Sequence, residues 1–490
     1  MLRTGTLSAS PEGVKMNLVP DLVNPSPDYF CTWNLQGYVS SYASMEAMRN
    51  AMLERYVMGS GRSPGWADMY PKIRRDLLLV LDDSWDVPPG GNIDMMGSLV
   101  LDPDRFPSFE GTPSQRLSQL RKALIAKGWK GMGVWVCAQQ AAALGPSTPE
   151  AYWRARLGWA RESGLDYWKV DWGVHSEDPV WRRSLTDWAR IDAPGLVVEH
   201  ALVPEVYPFS DVYRSYDVEV IISIAETIRR AARLLAGLPI SPGLGLVNCE
   251  DEVYIGAALG CALGIMRHGM VGALPNGRQD FAFPPVGRDI KRRLDEVVRA
   301  VRWHRIAPAF GGGDICVDPV SLTDYWILKE DETWTKRSPG DRAESAAPAR
   351  VSRGLPLAEV TVKDGTPFPF VLASRHPEGS IAVATQGRTL EREYIAPLAD
   401  VVLRVPDVDH AIGIFGFYQS LTLSSEREIP RGTVWAQDLA GELAVDVTDE
   451  VHLTTHKLVI SGKLIQRIGL MAQTAHDLSE PGMVLTIKKE

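Results

Sequence analysis

The stretch Leu165-Asp166-Tyr167-Trp168-Lys169-Val170-Asp171-Trp172-Gly173 decides how this chain is read. A short run rich in aromatic and β-branched residues, Tyr167–Asp171, closes on a Lys-x-Asp step. A helix-like segment, Glu150–Ser163, precedes it. Side chains alternate along a strand, so Lys169 and Asp171 fall on one face. An ammonium beside a carboxylate keeps the carboxylate ionised by lowering its pKa, which suits a nucleophile that must attack as the anion. A plain Lys–Asp pair closing a strand end fits the same two residues equally well.

The strand-then-helix rhythm extends outward on both sides. Strands are expected at Tyr29–Asn34, Leu77–Asp83, Gly133–Cys137, Tyr167–Asp171, Leu196–Glu199, Val212–Arg214, Leu244–Asn248 and Met270–Leu274, with helical stretches between them. Ser114–Lys127 is one such helix, entered through Thr112-Pro113 and stopped by Gly128. Eight repeated βα units predict a (β/α)8 barrel of the TIM type. Several of these strands end in polar residues: Asn34, Asp82-Asp83, Asp171, Glu199, Arg214 and Asn248. In such a barrel the C-terminal strand ends converge on one face, where active sites lie.

The texture changes at Gly311-Gly312-Gly313. Glu330–Gly354 reads as a long charged loop. Beyond it, Leu357–Val362, Ser380–Thr385, Val401–Val405, Ala411–Gly416, His452–Ile460 and Met483–Ile487 alternate with turn signals, the pattern of an antiparallel β-sandwich. The expected division is an N-terminal extension over 1–27, a catalytic barrel over 28–310 and a C-terminal sandwich domain over 311–490.

Composition narrows the partners. With 490 residues, 45% hydrophobic and 23% charged, the chain can build a sizeable core. A net charge of −9 argues against a nucleic acid partner, which needs a clustered basic surface. No uninterrupted apolar run is long enough to span a bilayer. The five cysteines, Cys31, Cys137, Cys249, Cys261 and Cys316, are odd in number, lack metal-ligand spacing and mostly sit among apolar neighbours. Buried thiols in a reducing compartment are expected, and MLRTGTLSASPEGVKMNLVP carries no apolar signal core. A cytoplasmic protein is the expectation, with a secreted or periplasmic one left open. The 15 tryptophans suit sugar stacking, although burial explains most tryptophans.

Two further motifs carry chemistry. Asp82 and Asp83, adjacent acids at a strand end, repel each other and so need donors, such as sugar hydroxyls; a helix N-terminus or a cation site are the alternatives. Asp217, in Asp211-Val212-Tyr213-Arg214-Ser215-Tyr216-Asp217, follows Asp171 by two βα units. Retaining glycosidases need two carboxyl groups about 5–5.5 Å apart, and strand ends around a barrel mouth supply such spacing. Capping of the next helix is the bland role for Asp217. Cys249-Glu250-Asp251 either contacts substrate or leaves Asn248, Glu250 and Asp251 to cap the helix near Val253, and His268 reads as a hydrogen-bonded strand-end residue.

Taken in order, these motifs resemble clan D glycoside hydrolases, the alpha-galactosidase families 27 and 36. Phe30-Cys31-Thr32-Trp33-Asn34 is similar to the family's Gly-Trp-Asn-Ser-Trp, and Val80-Leu81-Asp82-Asp83-Ser84-Trp85 to its Asp-Asp-x-Trp. Lys127-Gly128-Trp129-Lys130-Gly131-Met132-Gly133-Val134-Trp135 is similar to Lys-Gly-Leu-Lys-Phe-Gly-Ile-Tyr, Lys169-Val170-Asp171 to Lys-x-Asp, and Tyr213-Arg214-Ser215-Tyr216-Asp217 to Trp-Arg followed by Asp. The resemblance covers residues 28–275. It implies a retaining exo-glycosidase acting on terminal alpha-galactosides by double displacement. Asp171 would be the nucleophile and Asp217 the acid/base, with Lys169 and Arg214 on ring hydroxyls. Asp82 and Asp83 would select O4 and O6, and Trp33 and Trp135 would wall the sugar. Val198-Glu199-His200-Ala201-Leu202 resembles Cys-Glu-Trp-Pro-Leu, so Glu199 and Leu202 would face a free 2-hydroxyl. This chemistry requires neither a metal nor another cofactor, and its partner is a glycoside or oligosaccharide.

The departures are specific. Gly173 and Val198 replace two cysteines that pair in the family, so the disulfide is lost as a unit. The Arg214-to-Asp217 gap is one residue short, leaving Asp211 and Glu219 as fallbacks for the acid/base. An insertion over Pro88–Met96 and the unusual Trp172 bear on the leaving-group side. Beta-L-arabinopyranoside shares the ring configuration and stays open as a substrate, as does transglycosylation on the same scaffold. A non-catalytic carbohydrate-binding barrel has no need of Lys169 beside two carboxylates, and a metal-dependent hydrolase would need a ligand motif such as His-x-His, which is missing. Self-association into a homo-oligomer stays open beside the glycoside partner.

Overall fold

The computed structural model describes residues 16–142, 148–215, 222–237, 245–279, 288–329 and 340–489. Eight parallel strands close into a barrel: β1 (Tyr29–Cys31), β2 (Leu78–Leu81), β3 (Gly131–Val136), β4 (Tyr167–Val170), β5 (Val197–His200), β6 (Val212–Arg214), β7 (Leu246–Glu250) and β8 (Ala262–Ile265). β1 pairs with β8, which completes the ring. The expected (β/α)8 architecture is therefore present, with one strand misplaced. Met270–Leu274 is irregular, and the eighth strand lies earlier, directly after the seven-residue helix Val253–Leu259. Gly260, in the left-handed conformation, turns the chain from that helix into β8 within two residues.

Local chemistry explains the helices around the ring. Thr112 accepts from the Gln115 N–H while the Gln115 side chain accepts from the Thr112 N–H, a reciprocal cap that starts helix Pro113–Ala126. Pro113 at its first position loses a donor that would have been unpaired anyway. Helix Pro149–Ser163 ends on left-handed Gly164.

Strand parity builds the barrel interior. Tyr29, Cys31, Leu78, Val80, Tyr167 and Val212 point inward and pack as one cluster, the Tyr29 and Tyr167 rings 5.2 Å apart. The same parity carries upward to Asp82, Trp135, Lys169, Asp171, Arg214 and Glu250 at the C-terminal strand ends. Gly264 of β8 makes room at this level, since a Cβ there would stand 2.6 Å from Asn248 Oδ1.

The C-terminal part packs two sheets. One has eight strands in the order Val445–Asp446, Gly432–Asp438, Gly482–Lys489, Ile412–Phe415, Ile381–Gln386, Phe370–Arg375, Arg350–Arg353, Ile315–Val317. The other has five: Glu359–Val362, Ala399–Val405, Ser420–Ser425, Lys457–Ser461, His452–Leu453. Pairing is mixed rather than wholly antiparallel as expected. Arg350–Arg353 lies parallel to Phe370–Arg375, Ile381–Gln386 to Ile412–Phe415, and Ala399–Val405 to Ser420–Ser425. The segment expected as a loop up to Gly354 instead holds strands Arg342–Pro348 and Arg350–Arg353; 330–339 lies outside the described residues.

The large sheet is apolar on both faces, and alternation sorts its residues between two cores. Val371, Val383, Ile414 and Met483 pack against Val401, Leu403, Leu421 and Ile460 of the small sheet. Phe370, Leu372, Ala384, Phe415 and Val484 turn to the barrel and join Ile255, Val301 and Trp303. A buried two-pronged ion pair, Arg299 Nε–Asp438 Oδ1 at 2.9 Å and Nη2–Oδ2 at 3.1 Å, fastens helix Leu294–Trp303 to that sheet.

Candidate active site

A cavity of about 210 Å3 opens at the C-terminal strand ends. It is smaller than pockets for drug-sized ligands, which run ~300–1,000 Å3, and its size and polarity suit one sugar ring. Of the residues singled out in the sequence, Trp33, Asp82, Asp83, Trp135, Lys169, Asp171 and Arg214 line it together. Trp172, Met45, Met266 and Glu250 complete the described lining.

Asp171 follows the last residue of β4 and is held from two sides. Trp135 Nε1–H donates to Oδ2 at 2.9 Å, and Arg214 Nη2 lies 3.3 Å from Oδ1. From outside the barrel, Arg182 Nη2 donates to the Asp171 carbonyl at 2.7 Å. Arg182 is itself steadied by His200, whose other ring nitrogen meets Thr186 Oγ1 at 2.7 Å. Burial, then the nearby Arg182 charge, holds the His200 imidazole far below the usual histidine range, so it stays neutral.

Lys169 does share the face of Asp171, but its ammonium is paired elsewhere. Nζ donates to Asp82 Oδ2 at 2.6 Å, and the Cys31 thiol donates to the same oxygen at 2.9 Å. Burial alone would lower the Lys169 ammonium; Asp82 above all reverses this and holds it above the ordinary lysine range. The cation that faces Asp171 is Arg214. Asp83 takes Arg49 Nε at 3.2 Å and the Ser84 hydroxyl at 2.7 Å; burial still pushes its carboxyl up.

Glu199 and Leu202 do not line the cavity among the described residues, contrary to the sequence expectation. Glu199 is wholly buried at the floor. It accepts from Tyr167 Oη and Asn248 Nδ2, both at 2.8 Å, and Arg214 Nε is 3.7 Å away. Burial pushes its carboxyl up. Two inward aromatics below and Asn248 beside it draw Glu199 down, where the sequence had placed it against substrate. Leu202 sits past the strand end with φ of +72°.

Glu250, a substrate contact or a helix cap by its sequence, stands on the cavity wall with Oε1 3.6 Å from Arg214 Nε. Asp251 instead accepts from the Met266 and Arg267 N–H groups, and the helix at Val253 has no side-chain cap. Parity decides between the two roles, since Glu250 lies two residues beyond inward-facing Asn248.

Asp217 and Glu219 lie outside the described residues, two and four positions past Ser215. Asp211 sits at the other end of β6, where Oδ2 accepts from the Val198 N–H at 2.9 Å. It faces away from the mouth, which removes it as an acid/base fallback.

Gly173 also has a steric reason. At φ of +146°, a Cβ there would come 2.7 Å from the Ala138 backbone, so no side chain, cysteine included, fits. All five cysteines are free thiols, and only Cys316 is exposed. The segment Pro88–Met96 contributes Met95 and Met96, which pack against Trp135, Cys137 and Trp172 behind the cavity wall. His268 is buried, accepts from the Met270 N–H at 3.3 Å and is pushed down to about 3 by burial.

No family model matches this chain, and no curated protein does. Among solved structures it is similar to alpha-galactosidase I from Mortierella vinacea, at 10% identity over 96% of this chain and 99% of that one, with a TM-score of 0.41. A family 27 beta-L-arabinopyranosidase from Geobacillus stearothermophilus overlaps at 10% identity over 95% and 98%, TM-score 0.41. An alpha-galactosidase from Saccharomyces cerevisiae does so at 10% over 94% and 98%, TM-score 0.39. Overlaps this loose do not bear on activity, which rests on the residues themselves.

Proposed function

We propose that the protein is a retaining exo-glycosidase of the alpha-galactosidase type, with Asp171 as nucleophile and Asp217 as acid/base. One observation carries the reading: a cavity of single-sugar size in which Asp171 is aimed by Trp135 and Arg214, facing a second polar wall of Asp82, Lys169 and Asp83. In this mechanism an Asp171 oxygen bonds to the anomeric carbon as the C1–O bond to the leaving group breaks, and Asp217 gives that oxygen a proton. Water then attacks C1, Asp217 takes its proton, and the Asp171–C1 bond breaks.

The charges suit this sequence of steps. Trp135 and Arg214 hold the carboxylate without quenching it, since neither transfers a proton at neutral pH. Asp82 with Lys169 presents an acceptor and a donor to ring hydroxyls on one wall. Arg214 with Glu250 does so on the other, taking the part that the sequence had given to Glu199. Trp33, Trp135 and Trp172 offer apolar faces between the two poles.

The test is hydrolysis of 4-nitrophenyl alpha-D-galactopyranoside followed by proton NMR. The alpha anomer appearing first supports the reading. The beta anomer first, or no cleavage of either this substrate or the beta-L-arabinopyranoside, overturns it.

A further inference from the structure

A second cavity, of about 640 Å3, lies at the opposite end of the barrel. Its walls come from the chain before β1, the segment leading into β2, the end of helix Leu294–Trp303 and the turn at Ala440–Glu442. Lys72, Arg75, Arg302 and Arg305 line it, against Asp21 and Glu442. In a chain of net charge −9 this concentration of cations stands out.

Most of that charge is matched. Arg305 forms a two-pronged pair with buried Asp76, at 2.6 and 3.0 Å. Arg75 pairs with Asp21 at the surface. Lys72 reaches Thr474 Oγ1 at 3.4 Å and lies 3.9 Å from Asp295. Arg302 is the exception. It is 6% exposed, its Nε is buried without a hydrogen-bond partner, and no ion pair to it is found among the described residues. Glu442 and Asp438 act on it only from a distance, and neighbouring Arg305 repels it. Burial, then Arg305, lowers its guanidinium from the ordinary range. The helix C-terminus beside it supplies partial negative charge but no full counter-charge.

A guanidinium so largely removed from water, with Glu442 of the same cavity acting on it only from a distance, is costly unless something supplies acceptors to its outer nitrogens. The planar fork of an arginine matches two oxygens of a tetrahedral or planar oxyanion. We propose that this cavity binds a small phosphate-bearing molecule, anchored on Arg302 and flanked by Arg75, Arg305 and Lys72. The volume admits more than a bare phosphate, so both inorganic phosphate and a phosphorylated small metabolite fit the chemistry. The site lies away from the strand-end cavity, and the sugar chemistry above does not depend on it.

The experiment is calorimetric titration of inorganic phosphate, and separately of a hexose phosphate, into the full chain at constant ionic strength set with chloride. Wild type is compared with Arg302→Met. Saturable binding of either probe is expected in wild type, weakened at least about ten-fold in Arg302→Met by loss of a charge-assisted hydrogen bond. Tighter binding of the hexose phosphate would identify the organic moiety as part of the ligand; equal binding would identify phosphate alone. The unliganded Arg302→Met protein should melt at or above the wild-type Tm, because an unpaired buried cation has been removed. A purely structural arginine would give the reverse. Should that variant not fold, Arg75→Ala removes an exposed flanking cation and should weaken binding a few-fold. No saturable heat in wild type, or undiminished binding in the variants, overturns the proposal.

Discussion

Arg214 is the hinge of the site's electrostatics, and replacing it is the perturbation with the most readable outcome. Its guanidinium stands 3.3 Å from Asp171, 3.6 Å from Glu250 and 3.7 Å from Glu199. At an effective dielectric constant of 20 each contact is worth about 5 kcal/mol of gross attraction, largely offset by the desolvation of all four groups. Arg214→Met removes the attraction and leaves three buried carboxylates facing one another. The cheapest relief is for one to take up a proton, which costs about 4 kcal/mol at pH 7 for a group of ordinary pKa near 4. Unfolding entropy of ~2 cal/mol/K per residue converts this to a Tm about 4 °C lower. The sign with pH is fixed. A carboxyl whose folded pKa is raised loses stability as pH climbs through that value and recovers it below the unfolded one. The deficit should therefore be largest at pH 7–8 and shrink by about 1.4 kcal/mol per unit toward pH 5. Scanning calorimetry of both proteins from pH 5 to 8 measures this. A deficit below about 1 °C, or one flat across that range, would refute the charge balance drawn here.

Two other outcomes follow from the geometry. Trp135→Phe keeps the aromatic wall but deletes the 2.9 Å hydrogen bond to Asp171; kcat/KM should fall roughly 10- to 100-fold with little change in Tm, and a change under three-fold would show that the bond does not aim the carboxylate. Asp86 is raised to about 6 by burial while it accepts from the Gly97 and Leu99 N–H groups, both at 3.0 Å. Its ionised form therefore destabilises the fold above pH 6. Asp86→Asn, which keeps an acceptor for both, should gain about 1–3 kcal/mol at pH 8, with the gain vanishing by pH 4. Thermal melts at the two pH values check this, and a gain that persists at pH 4 would contradict it.

The barrel was legible because six strands announce themselves by an apolar run with a polar end, and a seventh, Gly133–Cys137, by its apolar run alone. The eighth did not, since Val253–Ile265 is apolar from helix through turn to strand and offers no contrast of period. Only Gly260 marks the join. The C-terminal sheets were half-readable for a related reason. Strands such as Phe370–Arg375 are buried on both faces and do not alternate, and the parallel pairings depend on crossovers that no local signal reports.

At the site, residue identity was readable but partnership was not. Strand parity brought Lys169 and Asp171 to one face, yet Asp82 from β2 captures the ammonium, and Arg214 from β6 reaches Asp171. These are contacts across the barrel that sequence spacing does not encode. Glu199 shows the same limit. Its strand and its inward direction were readable, but its depth is set by Tyr29, Tyr167 and Asn248 on three other strands.

The central claim is that Asp171 is a nucleophile. Its most direct test is release of nitrophenol from the alpha-galactoside by wild type and by Asp171→Ala, with and without formate as a small external nucleophile. The account predicts that activity is lost in Asp171→Ala and partly restored by formate, because the anion occupies the space between Trp135 and Arg214. Activity that survives in Asp171→Ala without formate would contradict it.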